Sequence, residues 1–173
     1  MSENLLESIE SFSFRNLFKL KFLDLSLNFL HVLSSNTFVD LNILEQLNLS
    51  HNLLEIISRD LFRDTRELKL LDLSSNLIKF IEDNTFSNLI NLRNLYLNLN
   101  PLIQIFRSNQ TLNGLVSLKY LYLPTNFYID FKIAHIIRDS LHEDSVKNVL
   151  NVLYYEMKSI ETLPLKKESV YDE

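Results

Sequence analysis

Asn4, Asn28, Asn52, Asn76 and Asn100 stand 24 residues apart without a slip, and Asn126 follows after 26. A fixed period of this length confines a chain to repeat architectures, in which each unit is one supersecondary element that must stack on its neighbours. Around each complete asparagine the same frame recurs: LKFLDLSLNFL, LEQLNLSHNLL, LKLLDLSSNLI, LRNLYLNLNPL and LKYLYLPTNFY. All read LxxLxLxxNxL, with the last leucine relaxed to Ile78 or Tyr128 in two of them. Two further columns follow downstream. One holds Ile9, Leu33, Ile57, Ile81, Ile105 and Phe131, and the other holds Phe14, Phe38, Phe62 and Phe86.

The leucines of LxLxx alternate as in a strand with one buried and one wet face. The segment after each asparagine shows no such alternation and reads as turn and loop. One unit alone cannot bury its leucines, whereas strands stacked about 4.8 Å apart bury them against one another. The short amide of the asparagine column suits backbone groups left over where the strand turns inward. That makes Asn4, Asn28, Asn52, Asn76, Asn100 and Asn126 a structural ladder, and the phenylalanine column packs in the core.

On these motifs the sequence resembles the leucine-rich-repeat family, in its 24-residue class with phenylalanine in the second half of each unit. The resemblance covers residues 1–131. It implies a solenoid of the horseshoe type, a right-handed coil with short parallel strands on a concave face and irregular loops on the convex side. The frame divides it into a partial repeat 1–19, repeats 20–43, 44–67, 68–91 and 92–117, and a partial repeat 118–131.

Met1 falls at the second strand leucine of this frame, so the chain starts inside a repeat and is expected to be a fragment or to begin at an internal methionine. A solenoid needs a polar cap at its end. The unit 92–117 is two residues longer than the others, with Gln110 where phenylalanine is due; Leu112 and Leu115 take over its contacts, and SNQTLNG supplies a turn with the only glycine. Beyond Phe131 the period becomes helical. Ile133, Ile136, Ile137 and Leu141, then Val146, Val149, Leu150, Leu153, Met157 and Ile160, predict two amphipathic helices over 132–162 that cap the solenoid, followed by a charged tail over 163–173.

Charge and composition exclude several kinds of chemistry. Acidic residues number 22 against 17 basic ones, so no basic stripe exists to neutralise a phosphate backbone, which argues against nucleic acid. The absence of cysteine removes disulfides, thiolate metal sites and a thiol nucleophile. The N-terminus lacks the basic flank and apolar run of a signal peptide, and no stretch of about 18 apolar residues is present to insert in a membrane. With one glycine there is no phosphate-binding loop. His31 and His51 lie in different columns, and His135 and His142 are seven apart without a further ligand, so neither a metal nor any other cofactor is expected. Asp24 and Asp72 share a column roughly 10 Å apart, a separation known in glycosidases. An open face with nothing to raise one of the two pKa values is no active site, and the chain is expected not to be an enzyme.

Stacked, the positions between and after the leucines form columns on one face. The first is Lys21, Glu45, Lys69, Arg93 and Lys119; the second is Phe22, Gln46, Leu70, Asn94 and Tyr120; the third is Asp24, Asn48, Asp72, Tyr96 and Tyr122. Ser26, Ser50, Ser74, Asn98 and Pro124 come next, then Leu27, His51, Ser75, Leu99 and Thr125. Tyr96, Tyr120 and Tyr122 gather on adjacent strands beside Arg93 and Lys119, and tyrosine with arginine is the composition enriched at interface hot spots. These five residues are the candidate protein-binding patch. Two sequons offer glycan acceptors, Asn48 on the face and Asn109 on the inserted turn, where a glycan would obstruct less.

The expected function is non-catalytic binding of a protein on the concave face. The resemblance to Toll-like, Slit-like and chaoptin-like arrays implies an extracellular receptor or adhesion protein. A cytosolic scaffold, favoured by the absence of cysteine, and the recognition arm of an enzyme whose catalytic part lies elsewhere are the alternatives.

Overall fold

The computed structural model describes residues 1–101 and 110–124. Ile105, Asn109, Asn126, Phe131, His135 and His142, the helices expected over 132–162 and the tail over 163–173 lie outside these residues.

The repeat becomes a parallel-strand solenoid. The strands are β1 (Phe22–Asp24), β2 (Gln46–Asn48), β3 (Ile56–Ile57), β4 (Leu70–Asp72), β5 (Phe80–Ile81), β6 (Asn94–Tyr96) and β7 (Tyr120–Tyr122) among the described residues. Five of them form one sheet in the order β1-β2-β4-β6-β7, all parallel, with Leu23, Leu47, Leu71, Leu95 and Leu121 in register. Each three-residue strand buries its central leucine and turns its flanks outward, because successive side chains of a strand alternate. The pairing continues beyond the strands. The amides of Leu27, His51 and Ser75 donate to the carbonyls of Ser50, Ser74 and Asn98 one repeat on.

The alternation ends after two leucines. Leu25 and Ser26 are both buried, as are Leu49 with Ser50 and Leu73 with Ser74. The next residue in each case, Leu27, His51 or Ser75, has φ near +53°, as do Glu3 and Leu99. This left-handed step breaks the two-residue period and turns the chain into the core. The serine column assigned above to the open face is therefore internal, and Pro124 is buried with it.

The segment after each asparagine also departs from the sequence reading. It was expected to be turn and loop, yet Ile56 pairs with Phe80 and Ile57 with Ile81 in a second parallel sheet. Burying Ile57 and Ile81 in one column while their neighbours face outward restores a strand over two residues, too short for periodicity to reveal. Behind the sheets, Phe14, Phe38, Phe62 and Phe86 stack with ring centroids 6.2 Å apart from one repeat to the next. Among the described residues no helix is long and apolar enough to cross a membrane.

The asparagine ladder locks the inward turn. Asn76 donates Nδ2 to the carbonyls of Leu49, Leu73 and Ser74 and accepts the amide of Leu54 on Oδ1. Asn28, Asn52 and Asn100 repeat this set on their own neighbours. Asn4 is exposed and donates to Met1 and Ser2.

Candidate functional site

The outward face of the five-stranded sheet presents three columns in register. The first is electrostatically divided. The Glu45 carboxylate bridges two cations, Lys21 Nζ at 3.0 Å on one side and Lys69 Nζ at 2.6 Å on the other. The hydrogen bonds from Lys69 and then Lys21 hold the Glu45 carboxyl below the usual glutamate range. Further along the column, Arg93 and Lys119 are exposed and immediately precede the adjacent strands β6 and β7, the Lys119 amide donating to the Arg93 carbonyl at 2.8 Å. Neither side chain has a hydrogen-bonding or ionic partner among the described residues.

The third column is divided in the same way. Asp24, Asn48 and Asp72 occupy its first part, and each accepts the amide two residues ahead. The carboxylates of Asp24 and Asp72 also take the hydroxyls of Ser26 and Ser74 at 2.6 Å, so both are committed to shaping the turn. With Phe22, Gln46 and Leu70 they line an open hollow of about 340 Å³. An open, shallow hollow does not exclude water from a carboxylate pair, which catalysis by them would need.

Tyr96 and Tyr122 form the other part. Cross-strand neighbours in register, they stack with centroids 4.6 Å apart and planes inclined by 4°. Tyr120 pairs with Asn94 in the second column and is half exposed, and Asn94 Nδ2 reaches Tyr96 Oη at 3.5 Å. The structure thus places Tyr96, Tyr120 and Tyr122 on two adjacent strands, with Arg93 and Lys119 just before them. Residue types and register alone pointed to the group; the ring stacking and the bridging of Lys21 and Lys69 by Glu45 did not show in the sequence.

Asn48 is half-buried beside the hollow, with Oδ1 held by the Ser50 amide. His31 and His51 are exposed in separate columns, and among the described residues no three His, Cys, Asp or Glu side chains group as metal ligands do. A second ladder escaped the sequence reading. On the back of the repeats, the amides of Asn16 and Asp40 approach the carboxylates of Asp40 and Asp64 at 3.4 and 3.3 Å. Its signal was the 24-residue separation of the two aspartates, hidden because Asn88 and Gly114 follow them.

A family model described as Leucine rich repeat matches residues 1–54, 44–102 and 66–127. No curated protein matches the chain in sequence. Among solved structures, it is similar to TLR13 in a complex with ssRNA13, at 31% identity and a TM-score of 0.69 over 75% of this chain. It is likewise similar to Toll from Drosophila in the Toll–Spatzle complex, at 31% identity and a TM-score of 0.65 over 73% of this chain. The aligned part is 18% of each of those proteins, so the chain spans about a fifth of their length. One of the two carries RNA, and the comparisons lend no support to the exclusion of nucleic acid drawn from charge.

Proposed function

Because the chain belongs to the leucine-rich-repeat family, we propose that it is a non-catalytic protein-binding module that works through the outward, concave face of its five-stranded sheet. The observation that carries this reading is the stacked pair Tyr96 and Tyr122, flanked by Tyr120, Arg93 and Lys119, on an open surface. Large, rigid, amphipathic side chains in such a cluster are what an interface centre uses. The likeness to Toll and TLR13 supports an extracellular or cell-surface receptor as the setting, and Toll's complex with Spatzle supports a protein ligand. A cytosolic scaffold is the second reading, favoured by the absence of cysteine.

Photo-cross-linking tests the face. A benzoylphenylalanine at Gln46, on the sheet, is expected to capture a partner from the surface proteins of the source cells, and one at Ser87, in the back half of its repeat, is not. Tyr96→Ala combined with Tyr122→Ala then weakens binding of the identified partner about tenfold or more, with an unchanged circular dichroism spectrum. Capture from Ser87 alone would refute the face, and unchanged affinity of the double variant would refute the patch.

A further inference from the structure

We propose that the end of the sheet built from β6 and β7 takes an acidic segment of its partner, an extended stretch whose carboxylates pair with Arg93 and Lys119 while its apolar or aromatic side chains rest on Tyr96 and Tyr122. The inference rests on the protein-binding reading above and names the chemistry of the ligand.

Charge distribution carries it. Of the five residues in the first column, three are already satisfied among themselves, Lys21 and Lys69 sharing Glu45. Arg93 and Lys119 are the two with no counter-charge on the described part of the molecule, although the chain has an excess of acidic residues. The strands that follow them lie about 4.8 Å apart, and alternate residues of an extended ligand present side chains about 6.7 Å apart, a mismatch that two long, flexible cations absorb. A ligand of the form acid-x-acid therefore places one carboxylate on each. The tyrosine pair sits three residues further along the same strands, roughly 10 Å away.

A single-stranded nucleic acid also seeks aromatic faces and cations. Here the Tyr96 and Tyr122 rings are stacked on each other and leave no slot between them for a base. Two cations do not track a phosphate chain, and the carboxylates of Asp24 and Asp72 on the same face repel one. A local acidic peptide fits the pattern better.

The test uses the whole chain and three probes: the random copolymer poly(Glu,Tyr), its basic counterpart poly(Lys,Tyr), and an oligouridylate. Poly(Glu,Tyr) is expected to bind, and to bind about tenfold more weakly or less to Arg93→Gln with Lys119→Gln. Raising the salt from about 50 to about 300 mM weakens it further. The reversal Arg93→Glu with Lys119→Glu transfers preference to poly(Lys,Tyr). Lys19→Gln with Arg66→Gln, an equal change of charge away from the column of Arg93 and Lys119, leaves binding intact. The proposal falls if the Arg93 and Lys119 glutamine pair binds poly(Glu,Tyr) like the unmodified chain, if the control pair loses as much, or if the oligouridylate binds in preference. Against the cross-linked partner the two readings separate. Loss in the tyrosine double variant but not in the Arg93 and Lys119 pair overturns the acidic class alone, and no loss in either overturns the site.

Discussion

Asn76 is buried, and its one amide serves the Leu54 N–H, which has no other partner, and three carbonyls that each share a second donor. Replacing it with alanine strands that N–H in a dry turn, at about 1 to 3 kcal/mol, and takes one donor from each of the three carbonyls. Asn76→Ala is thus expected to lose about 3 kcal/mol or more in urea denaturation, and Asn4→Ala, whose bonds are exposed, much less. Glu45 gives a prediction of opposite character, visible only against pH. Its carboxyl is held below the usual glutamate value chiefly by Lys69 and then by Lys21. Folding therefore favours the ionised form. The resulting stability is present above the unfolded value of about 4.3 and lost as pH falls through the lower folded one. In carbon-detected titrations the Glu45 midpoint lies below the ordinary range and returns toward it in Lys69→Met. A midpoint unchanged by that substitution would contradict the bridge.

Elements of three residues leave little for a sequence pattern to read, and what was legible followed the stacking rather than the strand. The leucine register, the phenylalanine column and the asparagine ladder were plain because one repeat certifies the next. The burial of Ser26, Ser50 and Ser74 was not, since it depends on the left-handed step at Leu27, His51 and Ser75, where no glycine announces it. The proposed binding patch was legible as residue types in adjacent columns, whereas its unpaired charge became visible only once Glu45 was seen to occupy both lysines. The turn before β7 depends on the sole glycine. Gly114 has φ near +90°, and a Cβ there would lie 2.4 Å from the Ser87 carbonyl oxygen and 2.5 Å from that of Phe86. Backbone cannot yield as a side chain does, so Gly114→Ala must push its repeat away from the preceding one. The expected result is loss of amide protection at Leu97 and Tyr120, which donate across the junction to the Tyr122 and Arg93 carbonyls, with Leu49 unaffected in hydrogen exchange. Protection unchanged at Leu97 would show that the turn adapts.

The described residues form a stack of repeats held by their neighbours, so a given residue's worth depends on its place in the order. Leu20 and Leu68 occupy the same column. Leu68 is fully buried between repeats, whereas Leu20 is half-buried and borders an open apolar hollow of about 460 Å³ with Leu6, Ile9, Phe14 and Leu17. Truncating a closed site removes transfer energy and leaves a cavity, while truncating a site already open to water removes only part of the first term. Leu68→Ala is expected to cost roughly 3 to 5 kcal/mol and Leu20→Ala roughly 1 kcal/mol in urea unfolding. The contrast should hold on dilution, since it reflects packing within one chain. Equal costs at concentrated protein that diverge on dilution would mean that the open end is covered by another molecule in solution. Equal costs at every concentration would contradict the graded stack, because they would make Leu20 as enclosed as Leu68.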